Sequence, residues 1–164
     1  MKRYLLFIVG AGLLISQAVT GHAQSHSIQG VWQAVEVTIP GPTKQTITVP
    51  EPRQNLSLIT ARHYSRVQVE AETARPVVAD VTKASADELR AAWGPFYAEA
   101  GTYDISGNLI TLRPVAAKNP AAMTPGAFTT WSFTMERNTL RVTAERNQNG
   151  AIADPVTVTL VRVE

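Results

Sequence analysis

Eight stretches of this chain alternate apolar and polar residues with period two: 27–39, 55–60, 63–71, 101–105, 109–115, 127–135, 140–145 and 156–163. All are rich in Val, Ile, Thr and aromatic residues, the pattern of strands with one face buried. The later ones are joined by Ser106-Gly107-Asn108, Arg137-Asn138 and Asn147-Gln148-Asn149-Gly150, residues that tolerate positive φ and close tight turns. Short connections force consecutive strands to pair antiparallel. A single sheet of about eight such strands removes its exposed edges by closing on itself. The expected fold is therefore all-β, an antiparallel up-and-down barrel.

One segment departs from the alternation. Ser85-Ala86-Asp87-Glu88 has the layout of a capping box, and Leu89, Ala92 and Trp93 follow at helical spacing until Gly94-Pro95, so one short helix is expected between strands. Pro40-Gly41-Pro42 and Pro50-Glu51-Pro52 bracket a strand-like piece at 45–49; they read as a long first connection and not a domain boundary.

The beginning of the chain has the organisation of a secretory signal over residues 1–23. Lys2 and Arg3 precede an apolar core, and Gly21-His22-Ala23 supplies small residues for cleavage. Ser16, Gln17 and Thr20 interrupt the apolar run before it reaches the ~20 residues of a spanning helix. The expectation is an exported protein, periplasmic or secreted, with residues 24–164 as one barrel domain and no stable membrane insertion after cleavage. The chain has no cysteine, which excludes a lipid-modified cysteine and disulfides. Of its 15 basic and 13 acidic residues, Lys2 and Arg3 leave with the signal, so the mature part is close to neutral. No basic run interleaved with aromatics is present, and no nucleic-acid partner is expected.

Several short pieces then occur in a specific order: Gly30-Val31-Trp32, the strand with Tyr64-Ser65, the Arg75-Pro76 step, Trp93-Gly94-Pro95-Phe96-Tyr97 leading into Gly101-Thr102-Tyr103, and the loop from Asn119-Pro120 to Pro125-Gly126. Together they resemble the bacterial lipocalin-like domain family over nearly all of the mature chain. The resemblance implies a lipocalin-like barrel with an internal cavity, in a family presumed to hold small apolar molecules. It also implies that Trp32 packs at the closed end beneath a basic side chain of the last strand, for which Arg162 is in phase. Thr111-Leu112-Arg113 and Thr129-Thr130-Trp131 depart from the histidine and arginine that the resemblance leads one to expect there.

Phase suggests which residues face inward. Trp131, Phe133 and Met135 form the apolar set of their strand, and Tyr103 with Ile105, Leu140 with Val142 and Ala144, and Val156 with Val158 and Leu160 behave likewise. Glu36 shares a face with Trp32 and Ala34, which places a carboxylate inside, where it requires a partner such as Arg66, Arg113 or Arg162. In the strand 109–115 both faces are apolar, so its phase is open and cover by the helix near Trp93 is one reading.

No catalytic motif, cofactor motif or metal-ligand set is evident. His26 and His63 are the mature chain's two histidines, and neither Ser57 nor Ser65 has a nucleophile setting. Two functions remain open. One is a carrier or sensor for a small hydrophobic or amphipathic molecule, with Tyr97, Tyr103, Trp131 and Phe133 lining a cavity of a few hundred Å3 and Glu36 or Arg113 fixing a polar end. The other is a cofactor-independent barrel enzyme, a cyclase, isomerase or dehydratase, using Glu36 as base with Tyr103 or Tyr64. A filled barrel acting as a protein-interaction module is the third possibility and calls for an apolar patch outside.

Overall fold

The computed structural model describes residues 27–41, 43–49, 54–71 and 73–164. The signal assigned to residues 1–23, with His26 and Pro50-Glu51-Pro52, lies outside the described residues. The chain runs β1 (Gly30–Ile39), β2 (Gln45–Thr48), β3 (Asn55–Ile59), β4 (His63–Val69), α1 (Ala86–Trp93), β5 (Phe96–Ser106), β6 (Leu109–Ala117), a 3-10 turn (Pro120–Met123), β7 (Thr129–Glu136), β8 (Thr139–Asn147), β9 (Gly150–Ala151) and β10 (Thr157–Arg162). Every pairing is antiparallel. From β10 the sheet continues through β1, β3, β4, β5, β6, β7 and β8, and β8 pairs with β10 again. Eight strands thus close a lipocalin-like up-and-down barrel, with β2 as an arm on β1 and β9 as a short extension of β8.

The two ends differ. The tight turns after β3, β5 and β7 lie at the end where β1 begins and β10 finishes. Here Tyr103 N–H donates to the Arg62 carbonyl and Arg162 N–H to that of Asn138. The longer connections, including α1, lie at the other end. Trp32 seals the closed end as expected: it is fully buried, its indole N–H donates to the Ile28 carbonyl at 2.8 Å, and the Arg162 guanidinium stacks 4.2 Å from its ring centre. Gly30 explains the motif's first position. Its φ is +140°, and a Cβ there would collide with the Arg162 guanidinium. The core around this plug comprises Ile28, Trp32, Tyr64, Ile110, Leu112, Leu140 and Leu160, with Trp131, Phe133 and Val142 packed against it.

The helix begins with the expected capping box, Ser85 and Glu88 exchanging hydrogen bonds. It does not cover β6: Val115 on that strand's outer face is 72 % exposed. Instead α1 is tied to the open end of the barrel. Arg75 donates to the Ala92 carbonyl at 3.1 Å, and Lys118 donates to the carbonyls of Trp93, Gly94 and Phe96, where a cation complements the helix's negative end.

Candidate functional site

Register identifies the inward face without ambiguity, because residues directly opposite share a side. Ser57 lies opposite the fully buried Trp32, Arg66 opposite Ser57, and Glu99 opposite Arg66. Tyr64, Arg66 and Gln68 of β4 therefore point inward, with Tyr97, Glu99 and Tyr103 of β5. Ile110 and Leu112 follow on β6, opposite Ile105 and Tyr103, and Trp131 lies opposite Ile110. This resolves the phase of the strand 109–115. At Trp131 the residue opposite on β8 is Ala144, whose small side chain leaves room for the indole.

Two expected polar residues turn away from the interior. In β1 the register slips between Ala34 and Glu36: Ala34 faces Leu160, yet Glu36 faces Thr159. The extra residue, Val35, forms a β-bulge that reverses the phase, so Val37 takes the inward place opposite Val158. Glu36 shares the outer face with Thr159, whose hydroxyl lies 3.5 Å from its carboxylate. The Asn55 side chain bridges the Ala34 backbone N–H and carbonyl beside the bulge. Arg113 faces Thr102 on the outside and pairs with Asp104. Neither Glu36 nor Arg113 can fix a ligand inside this barrel, and the base assigned to Glu36 is displaced with it. Ile105 keeps the inward phase but is exposed at the rim of the closed end.

The interior carboxylate is Glu99, which the sequence reading did not single out. Its side chain is 6 % exposed. It accepts from Arg66 Nε at 2.8 Å, from the Tyr64 hydroxyl at 3.1 Å and from the Tyr97 hydroxyl at 2.5 Å, and Arg66 Nη2 lies 2.8 Å from its Oε1 in the same ion pair. Arg66 Nη2 also donates to the Tyr97 oxygen at 2.7 Å. The guanidinium lies 4.9 Å from the Tyr97 ring centre and 5.4 Å from that of Trp131, within cation–π range. Burial, reinforced by Glu99, pushes the Tyr64 hydroxyl well above the ordinary tyrosine range. Burial does the same to Tyr97, with Arg66 opposing it and Glu99 supporting it. Burial also works against the Arg66 charge, but Glu99 and the two tyrosines more than offset it, so its pKa is raised. Both tyrosines remain neutral donors beside a compensated ion pair.

The Arg66 side chain is 28 % accessible although it points inward, so what it faces is the lumen. It lines a cavity of about 80 Å3, walled mainly by Ile59, Ile110, Leu112, Phe133, Leu140 and Val142, to which Tyr64 and Trp131 also contribute. This volume is about half the ~150 Å3 that admits benzene in an apolar core, and well short of the few hundred Å3 expected from sequence. Among the expected lining residues, Trp131 and Phe133 form the wall of this cavity. Tyr97 belongs to the Arg66 cluster, and the Tyr103 hydroxyl is taken by the Thr60 carbonyl at 2.7 Å. Among the described residues no group of acidic, His or Cys side chains is placed to hold a metal ion, and His63 sits exposed at the start of β4.

No family model matches this chain, and no curated protein does. Among the solved structures similar to it are two from Bacteroides. A lipocalin-like protein from Bacteroides uniformis ATCC 8492 is 14% identical, with a TM-score of 0.45 over 82% of this chain and 96% of that one. An uncharacterized protein from Bacteroides eggerthii DSM 20697 is 8% identical, with a TM-score of 0.43 over 82% and 98%.

Proposed function

We propose that this protein is an exported carrier or sensor that holds a small, mostly apolar molecule in the barrel lumen. The reading rests on Arg66, an inward-pointing charged side chain that keeps accessible surface where the apolar cavity begins. A barrel filled purely for stability has no need to leave a guanidinium facing a void, since polar groups in an interior cost free energy unless satisfied. The size of the cavity restricts the apolar part of the occupant to a short or branched alkyl group, or to a somewhat larger one if the wall yields.

Binding accounts for the site better than catalysis does. Glu99 is the interior carboxylate available to a barrel enzyme among the described residues, but three hydrogen bonds from three side chains and the ion pair with Arg66 occupy it, and a base held in this way has little capacity to accept a substrate proton. Export is the reading of the first twenty-three residues, and a chain without cysteine is compatible with an oxidising compartment. Native mass spectrometry of mature protein isolated from its own envelope fraction tests the function. A mass increment that disappears on unfolding is expected; a bare protein, together with failure of xenon to enter the lumen, would refute the proposal.

A further inference from the structure

The lumen retains hydrogen-bond donors that the protein does not satisfy. Arg66 Nε and Nη2 are committed to Glu99 and Tyr97, but Nη1 has no protein acceptor among the described residues. The Trp131 indole N–H is buried and has no partner either. A buried donor without an acceptor costs about 1–3 kcal/mol. The Trp131 indole N–H is such a donor, whereas Arg66 Nη1 keeps access to the lumen; the two side chains stack on one another and line the same cavity. The nearby acceptors are engaged elsewhere: Glu99 Oε1 accepts from Tyr64 and Arg66, Oε2 from Tyr97, and the Tyr97 oxygen from Arg66. An occupant that brings an oxygen acceptor therefore gains more here than a hydrocarbon of the same shape.

Charge decides which acceptor. Arg66 is already neutralised by Glu99 at 2.8 Å, and the tyrosines beside them stay protonated. A ligand carboxylate would bring a second anion next to Glu99 and leave the enclosed site with a net negative charge, which a low-dielectric interior disfavours. A neutral carbonyl offers two lone pairs without that penalty. Resting on the proposal that the lumen binds a small apolar molecule, we infer that its ligand is an uncharged carbonyl compound, an amide, ester or ketone with a short branched alkyl group, read by Arg66 and Trp131.

Three probes that share one branched alkyl group test this on residues 24–164 at pH 8: 3-methylbutanamide, 3-methylbutanoate and 2-methylpentane, each titrated by NMR with the Trp131 indole resonance identified through Trp131→Phe. The amide is expected to bind about tenfold more tightly than the carboxylate, because the carboxylate places a second anion beside Glu99, and to shift the Trp131 indole signal. Glu99→Gln removes the compensating charge and should reverse the order, the carboxylate then binding more tightly than the amide. Should that variant fail to fold by circular dichroism, Trp131→Phe replaces it. It should weaken the amide severalfold relative to 2-methylpentane, and an unchanged ratio contradicts the inference. A carboxylate that matches or exceeds the amide in the unmodified protein also overturns it, while leaving lumen binding intact. So does binding of 2-methylpentane or xenon without either polar probe. If none of the four enters, the lumen reading and this inference fail together.

Discussion

Replacing Glu99 by Leu isolates what the interior ion pair contributes. The change removes the acceptor of three hydrogen bonds and leaves the Arg66 guanidinium inside the barrel without its counterion. Breaking a buried pair by deleting one partner costs about 3–5 kcal/mol. Because Arg66 keeps 28 % of its side chain accessible, water in the lumen recovers part of this, and about 2–3 kcal/mol is the expected loss. For a domain of this size that lowers Tm by about 4–12 °C. In the double variant Arg66→Met, Glu99→Leu no orphan charge remains, so it should be more stable than Glu99→Leu alone by at least about 1 kcal/mol. Urea denaturation of residues 24–164, followed by tryptophan fluorescence with m held common to all variants, measures both quantities. If Glu99→Leu costs less than about 1 kcal/mol, or if the double variant shows the sum of the two single losses, the pair is not the coupled unit described above.

Alkali should act through the tyrosines. Tyr64, Tyr97 and Tyr103 all have pKa values raised by burial, so their contribution is intact below the unfolded value near 10 and is lost as pH rises from there toward the folded values. Stability should fall above pH ~10 with a slope approaching 1.4 kcal/mol per pH unit for each tyrosine that stays protonated in the fold. Absorbance at 295 nm should show tyrosinate in guanidinium-unfolded protein at a pH where the native protein has little, and coincident titrations would refute the assignment. Glu36→Gln and Arg113→Ala, both on the outer face, should leave lumen binding unchanged and stability within about 0.5 kcal/mol; loss of binding in calorimetry would return them to the site. Trp32→Ala should cost about 3–5 kcal/mol, measured by thermal melting, and Arg162→Ala should cost less in a Trp32→Ala background than in the native one because the two side chains stack. Gly101→Ala should destabilise by about 1–3 kcal/mol, since a Cβ there meets the Arg113 carbonyl; an unchanged melt would show that β5 and β6 can separate at this point.

Alternation made the barrel legible because period-two burial is a local property, and the Gly30-Val31-Trp32 signal worked because Trp32 and Arg162 meet wherever the first and last strands close. Glu36 was misread for a reason that period two cannot detect. Val35 carries no mark of a bulge, and a single extra residue reverses every side chain beyond it. Glu99 was missed because Gly94-Pro95 was read as separating the helix from a strand that began at Gly101, whereas β5 begins at Phe96. The signal was available: carrying the inward phase of Tyr103 back by twos passes through Gly101 to Glu99 and Tyr97, and the same step along β4 joins Tyr64 to Arg66. The cavity's volume was beyond the sequence, because it depends on how Trp131 and Arg66 pack against each other across strands far apart in the chain.

The stacking of Arg162 on Trp32 has a consequence for the order of assembly. Trp32 is among the first described residues and its lid among the last, so the plug requires contacts spanning almost the whole domain, of the kind that closes late and slowly. Until β10 inserts between β1 and β8, both of those strands present unpaired edges and the indole lacks its cover. An emerging chain should therefore remain open and pliable up to its final strand. Hydrogen exchange on a chain shortened before Thr157 should show weak protection throughout, and native-like protection of β4 to β7 would mean that the barrel assembles without waiting for its closing strand.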